Sequence, residues 1–396
     1  MKIDFNKLWS FINKHIYFII FFTMTILSLI IRLSLIEYTS GDYTNFLKPW
    51  FDNLVENGGI YGIANDISNY NAPYITIMAL LTYIPISSLS SIKLVSIVFD
   101  YICAYAVYEI VFFIFDKNKK KELLALLAYI ATIILPTVFL NSAFWSQCDS
   151  IYTAFVLWSI FYLMKKKYLK SFIFLGIAFS FKLQAIFILP LYVLIYLSNR
   201  EFSIFNFLLI PIMNIVMGIP SMIFGKSFID LFKVYIEQTD TYSEFITLNI
   251  PNFYSIFFNS YNSNLINTPH ESFIKIGVVF TLSLFVIIAF LVYLKKIRFD
   301  AQAIIEFGLW SVLICVFFLP EMHDRYLFMA DVFSIIYLFF NKNKYYIPIA
   351  IEFISLNGYL YFLFGSFTIN LSNLSIFYFI ILIIYSKNMC KKYFCS

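Results

Sequence analysis

The chain has 396 residues, 61% of them hydrophobic and only 13% charged, with a formal net charge of +5. Soluble domains carry about 25% charged residues, so this composition excludes a soluble enzyme. Apolar runs of about 20 residues, broken by short polar clusters, specify a polytopic membrane protein. No stretch between runs is long enough for a separate soluble domain, which removes a cytosolic Rossmann-type nucleotide-sugar domain. Nothing in the pattern calls for a nucleic-acid partner.

Most of the 28 basic residues fall into short clusters: Lys2/Lys7/Lys14, Lys117 to Lys121, Lys165 to Lys170, Arg200, Lys295 to Arg298, Lys342/Lys344 and Lys387 to Lys392. Placing all of them on the cytoplasmic side fixes the orientation. The first apolar run, Ile16 to Ile36, is too long for a signal-peptide core and reads as a retained helix. It leads out to a polar, aromatic loop that opens with Gly41-Asp42-Tyr43. The run Ala72 to Leu89 contains Pro73 and Pro85. A full crossing there would put Lys117 to Lys121 outside, so it reads as an interfacial or re-entrant helix of that first loop. Crossings follow at Ile92–Phe115, Leu123–Leu140 and Ile151–Met164, with Asn141 to Asp149 outside. The run from Ser171 to Leu197 is interrupted by Lys182-Leu183-Gln184 and reads as a hairpin of two short helices with Lys182 at its outer tip. A charge at mid-bilayer costs roughly 3 kcal/mol or more unless it faces a cavity or a partner.

The crossing Ile204–Phe224 leads to a long outer loop, Gly225 to Ser272, carrying Asp230, Glu237, Asp240, Glu244 and His270. Crossings at Phe273–Leu294 and Ala303–Leu319 lead to Pro320-Glu321-Met322-His323-Asp324-Arg325-Tyr326, also outside. Three more, at Leu327–Phe340, Tyr345–Phe364 and Leu374–Ser386, end the chain. The expected fold is all-α: a polytopic helical bundle of about 12 crossings with both termini inside. It forms a single integral-membrane domain over 1–396. Cys103, Cys148, Cys315, Cys390 and Cys395 show no zinc or redox spacing, and a disulfide framework is not expected.

Most loop carboxylates, among them Asp42, Asp52, Glu56, Asp66, Asp149, Glu237, Asp240, Glu321 and Asp324, lie on the predicted outer face, which points to an outward-facing site. Asp42 sits beside apolar and aromatic neighbours, a setting that raises a carboxylate's pKa and suits a general base; the alternative is a turn or capping residue. Asp149 either caps the helix that follows or orients a hydroxylated substrate, with Gln147 and Trp145 against a sugar; Trp also belongs to interfacial belts. Lys182 and Arg325 form a candidate clamp on a phosphate. Against that stand snorkelling for Lys182 and an ion pair with Asp324 or Glu321 for Arg325. His323 either hydrogen-bonds the phosphate or is a plain loop histidine. Asp100, Glu109 and Glu352 lie inside spans, where carboxylates are either functional or bonded to neighbouring helices. Nothing matches a zinc motif, a P-loop or a Gly-rich dinucleotide turn, so no metal and no cofactor are expected.

Three local patterns carry a resemblance. Gly41-Asp42-Tyr43 is followed by Phe46-Leu47-Lys48-Pro49-Trp50 and by Asn69-Tyr70-Asn71-Ala72-Pro73-Tyr74. Next comes Phe144-Trp145-Ser146-Gln147-Cys148-Asp149-Ser150. The third joins Lys182-Leu183-Gln184-Ala185 to Met322-His323-Asp324-Arg325-Tyr326. Together they resemble the GT-C superfamily of membrane glycosyltransferases, which take sugars from polyprenyl-phosphate carriers. The sequence departs from the family's patterns at Ala72 (Pro there), Ser146 (Gly) and Asp324 (more often Glu). The resemblance implies a GT-C-like module over 1–200, with the first outer loop at 37–91, and a variable helical module over 201–396. It maps Asp42 to the catalytic base. Tyr43, Trp145, Gln147, Asp149, Lys182, Gln184, His323 and Arg325 are the candidate substrate-binding residues.

The implied function is inverting transfer of a hexose from a polyprenyl-phosphate donor to a glycan or lipid acceptor hydroxyl, on the extracytoplasmic face of the cell membrane. A lipid-linked sugar flippase or polysaccharide transporter is the competing class, and a non-catalytic assembly subunit a third. Transporters carry internal repeats and discontinuous helices in both halves, whereas the interrupted run at 171–197 has no obvious counterpart.

Overall fold

The computed structural model describes residues 5–65, 67–240, 245–258, 270–365 and 369–395. The chain is an all-α polytopic membrane bundle. Helix α1 (Phe5–Ser34) is broken at His15, and its apolar part runs from Lys14 to Ser34. The first loop holds a wide turn at Tyr43–Leu47, α2 (Lys48–Glu56) and α3 (Ala72–Leu81), with Pro49 and Pro73 in the first turns of the two helices, where a missing N–H costs nothing. Ten residues rise only about 15 Å, so α3 is far too short to cross, in keeping with an interfacial or re-entrant element. Next come α4 (Ser88–Ile114) and α5 (Lys121–Ile133). Pro136 breaks the following crossing, and α6 (Pro136–Phe139) continues at an angle of 50° into a wide turn ending at Phe144.

Helices α7 (Asp149–Met164) and α8 (Tyr168–Phe181) precede Lys182, whose extended backbone (φ −155°) ends α8. A tight turn at Leu183–Ile188 leads into α9 (Leu189–Asn199). Ser171 of α8 and Tyr192 of α9 share a hydrogen bond of 2.9 Å, and Tyr168 bonds Glu201 at the far end. The run is therefore a hairpin with Lys182 at its tip. Helices α10 (Leu209–Ile223), α11 (Asp230–Asp240), α12 (His270–Lys295), α13 (Ala301–Phe318), α14 (Phe328–Phe340), α15 (Tyr346–Phe364) and α16 (Leu371–Tyr393) complete the order. Strands β1 (Thr247–Leu248) and β2 (Met322–His323) make a two-residue parallel bridge that pairs Leu248 with His323. Asp66 and Glu244 lie outside the described residues.

Among the described residues, seven helices are long and apolar enough to cross a membrane, eight with the bent α5–α6 pair. The other predicted crossings fall on α7, α8, α14 and the Leu183–Asn199 segment, each of 10–17 residues. At 1.5 Å per residue they reach at most about 25 Å, less than a hydrocarbon core of about 30 Å. Their polar ends are thereby recessed: Asp149 at the start of α7 and Lys182 after α8 are both buried. At the opposite end of the bundle Glu306 gathers Asn341 (2.9 Å), Lys392 (2.8 Å) and Tyr393, joining the ends of α13, α14 and α16 that carry the lysine clusters.

Candidate active site

The site begins at the end of α1. Two buried cations hold that end against α4. Arg32 pairs with Asp100 at 2.9 Å, and Ser142 donates to the same carboxylate oxygen at 2.5 Å. One turn beyond, Lys93 Nζ donates to the carbonyls of Leu35 (3.2 Å), Ile36 (3.0 Å) and Tyr38 (2.7 Å). A helix C-terminus leaves its last carbonyls without partners and carries partial negative charge; a three-donor ammonium answers both. Lys93→Met should strand the Ile36 and Tyr38 carbonyls, while Leu35 keeps the Tyr38 N–H at 3.2 Å, at a cost on the order of 1–3 kcal/mol. The check is the melting temperature of the purified protein in detergent, which should fall for Met and recover in part for Lys93→Arg.

Six residues beyond α1, Ser40 Oγ donates to the Trp145 carbonyl (2.6 Å) and accepts the Tyr43 N–H (3.2 Å). This ties the first loop to the turn before α7. Asp42 then receives three donors on one oxygen, Oδ2: Trp145 Nε1 (2.9 Å), Gln147 Nε2 (2.5 Å) and Arg325 Nη1 (3.4 Å). Among the described residues no hydrogen bond reaches Oδ1. Gln147 is oriented in turn by the Tyr70 hydroxyl, which donates to its Oε1 at 3.2 Å. Trp145 is fully buried, stacked on Phe362 (4.4 Å) and edge-on to Tyr359 (5.0 Å). Ser146 has φ 70°, a left-handed backbone that favours glycine, the residue the resembled pattern has there.

Asp149 is the charge hub beneath. Its carboxylate binds Lys182 Nζ, accepts Asn141 Nδ2 at 2.8 Å and lies 3.5 Å from Arg325 Nε. Arg325 also stands 3.8 Å from Asp324. The 320–326 loop is fixed by the β1–β2 bridge and by the Glu321 N–H on the Ile246 carbonyl (2.8 Å). A Cβ on Gly358 of α15 would come within 3.0 Å of the Asp324 carbonyl, so glycine lets α15 approach that loop.

These residues surround a cavity of about 500 Å³. Its polar lining includes Asp42, Tyr70, Gln147, Lys182, Gln184, His323, Asp324 and Arg325; its apolar lining includes Ile186, Phe187, Ile274, Val278 and Leu319. Burial pushes the Asp324 carboxyl up to about 7, against the pull of Arg325. Burial, with Arg325 and Lys182 nearby, drives His323 down to about 3, so its ring is neutral near pH 7 and supplies no positive charge.

The geometry redirects several sequence-based expectations. Asp42, Gln147, Lys182, Gln184, His323 and Arg325 converge on one cavity. Trp145, Asp149 and Tyr43 do not line it. Trp145 is spent on Asp42 rather than on a sugar face, Asp149 on two cations, and Tyr43 on a 2.8 Å bond with Ser88. Asp149 starts α7 without capping it through its side chain. Lys182 and Arg325 are not a bare cationic clamp, since Lys182 is already paired with Asp149. Of the carboxylates inside spans, Asp100 neutralises Arg32, and Glu352 accepts the Thr137 N–H (3.0 Å) and hydroxyl (2.8 Å) at the start of α6. Sequence reasoning passed over Lys93 and Asn141. Lys93 carried a visible signal, a charge inside an apolar run; Asn141 carried none beyond its loop position.

No protein-family profile matches the chain. It is similar to GPI mannosyltransferase 1 of Dictyostelium discoideum, 28% identical over 185 residues that cover 45% of this chain and 41% of that protein. The match therefore spans less than half of either protein.

Proposed function

We propose that the chain is a membrane glycosyltransferase that moves a hexose from a polyprenyl-phosphate carrier to an acceptor hydroxyl on the extracytoplasmic face, with inversion. The observation that carries this reading is the Asp42 carboxylate, held through Oδ2 by Trp145, Gln147 and Arg325 in a cavity lined by polar and apolar side chains alike. The similarity to a mannosyltransferase supports the reaction class.

In this reading Oδ1 of Asp42 takes the acceptor's proton as its oxygen attacks the anomeric carbon. The bond from that carbon to the phosphate oxygen breaks, and the electron pair leaves with the polyprenyl phosphate. Arg325 meets the charge growing on the leaving group; among the described residues its Nη2 makes no ion pair or hydrogen bond. Lys182 adds its field while bonded to Asp149, and the lipid tail lies against the apolar lining. The test is transfer of label from polyprenyl-phosphate mannose or glucose by the purified full chain in nanodiscs. A labelled product supports the reading; label that crosses the bilayer without transfer supports a flippase.

A pH dependence follows from Asp324. Below about 7 it is protonated, and the cavity is one negative charge less hostile to an anionic donor. The KM for the donor should rise as pH increases through 7, and Asp324→Asn should flatten that rise. Stability has the same sign. Between the ordinary carboxylate pKa and about 7 the folded state keeps a proton that the unfolded chain releases, so stability falls as pH rises across that window. Melting temperatures of the two proteins over the window check it.

A further inference from the structure

We infer that Gln238 of α11 is a positioning residue for Asp42, acting through Tyr70 and Gln147; this rests on the role proposed above for Asp42. The Gln238 amide spends both its hydrogens on the first loop. Nε2 donates to the Asn69 carbonyl at 2.7 Å and to Asn71 Oδ1 at 2.9 Å. The two bonds straddle Tyr70. Residues 67–71 form neither helix nor strand, so this stretch depends on side chains from elsewhere for its place. Tyr70 carries the connection onward. Its hydroxyl donates to Gln147 Oε1 (3.2 Å), and Gln147 Nε2 donates to Asp42 Oδ2.

The face of α11 that presents Gln238 is anchored on both sides. Leu231 and Val234 are buried. Tyr235, three residues before Gln238 and so beside it on the helix, donates to the Phe179 carbonyl (2.9 Å) and to Asn214 Oδ1 (3.0 Å) and stacks on the Phe179 ring (4.7 Å). Asn71 Nδ2 reaches the same Phe179 carbonyl at 3.5 Å. Helix α11 thus clips residues 69–71 to the end of α8, three residues before Lys182. Trp50 and Tyr74 pack beside the Tyr70 ring, at 5.2 and 5.1 Å, but ring packing does not set the hydroxyl's aim. At 3.2 Å the bond to Gln147 is already at the long end of its range. A small shift of the loop breaks it and frees the Gln147 amide to turn from Asp42. Gln238 also lines the cavity, so direct contact with substrate is the competing role.

The experiment has two readouts on the full chain in nanodiscs. The first needs no substrate. Of the five tryptophans, Trp145 donates its indole N–H to the same Asp42 oxygen (2.9 Å), while Trp310 donates to Ser386 (2.9 Å). With isotope-labelled tryptophan, Gln238→Met should move the Trp145 indole NMR resonance, identified by its absence in Trp145→Phe, and leave that of Trp310 in place. In Tyr70→Phe the Trp145 resonance should already be displaced, and adding Gln238→Met should move it no further. The second readout is transfer from polyprenyl-phosphate mannose. Gln238→Met and Tyr70→Phe should each lower kcat by about tenfold, and the pair by less than about twofold more than either alone, as residues acting in one series do. Gln238→Glu, of the same length but without donors when ionised, takes the place of Gln238→Met should that variant not fold. A Trp145 resonance at the wild-type position in the Gln238 variant overturns the inference, whether or not the chain transfers sugar. Effects on kcat that multiply overturn it as well, since they mark Gln238 as touching the substrate itself. A displaced resonance in a chain that transfers nothing supports the positioning of Asp42 and sinks only the transfer proposed above.

Discussion

Asp42→Asn should reduce transfer by about a thousandfold, within the range a positioned general base contributes, while leaving expression and melting temperature close to wild type. The asymmetry of the carboxylate explains why so conservative a change is both tolerated and inactivating. Trp145, Gln147 and Arg325 all donate to Oδ2, and the carbonyl oxygen of asparagine can take that place. The loop therefore keeps its anchor through Ser40 and Trp145. Oδ1 is replaced by an amide that cannot accept the proton. Turnover close to wild type in the purified variant removes Asp42 from the chemistry.

The second large effect is on stability. Asp149→Ala should destabilise the protein by about 3–5 kcal/mol, the usual cost of leaving a buried charge without its partner. Asp149 is 1% exposed and Lys182 8% exposed, so water does little to screen either. Two cations are affected, because Arg325 lies 3.5 Å from the same carboxylate. The paired change Asp149→Leu with Lys182→Met should recover much of the loss, since well-packed apolar replacements of buried ion pairs are often neutral. It should not recover activity, because the cavity lining loses its charge. Denaturation in detergent reads the first effect and label transfer the second. Equal destabilisation by the single and paired changes would show that packing around Asp149, not charge balance, holds this part of the bundle.

Much of this arrangement was legible in the order of residues. Charge clusters and apolar runs gave an all-α membrane bundle, and Pro73 with Pro85 set the Ala72–Leu89 run apart from the crossings. Lys182 inside an apolar stretch marked the hairpin because an unsupported charge there is too costly. The polar segments at 42, 147, 182 and 325 do meet at one cavity. What stayed hidden depends on distances between segments far apart in sequence. The single stretch from Trp145 to Asp149 divides its side chains between the cavity and the interior: Gln147 reaches Asp42 from the lining, while Trp145 and Asp149 support it from behind. Spacing alone does not separate those roles. Nor does it show that Lys182 is already neutralised, or that burial with Arg325 and Lys182 nearby keeps His323 uncharged. The Lys93 cap on α1 needs two helices in register before its three carbonyls come together.

The most direct test is a structure of the Asp42→Asn variant with polyprenyl-phosphate hexose bound. The account predicts the phosphate against Arg325, the lipid tail along Ile274, Val278 and Leu319, and the anomeric carbon facing residue 42 with room between them for an acceptor oxygen. A donor seated elsewhere in the bundle, with its sugar turned away from residue 42 and its phosphate remote from Arg325, would contradict it.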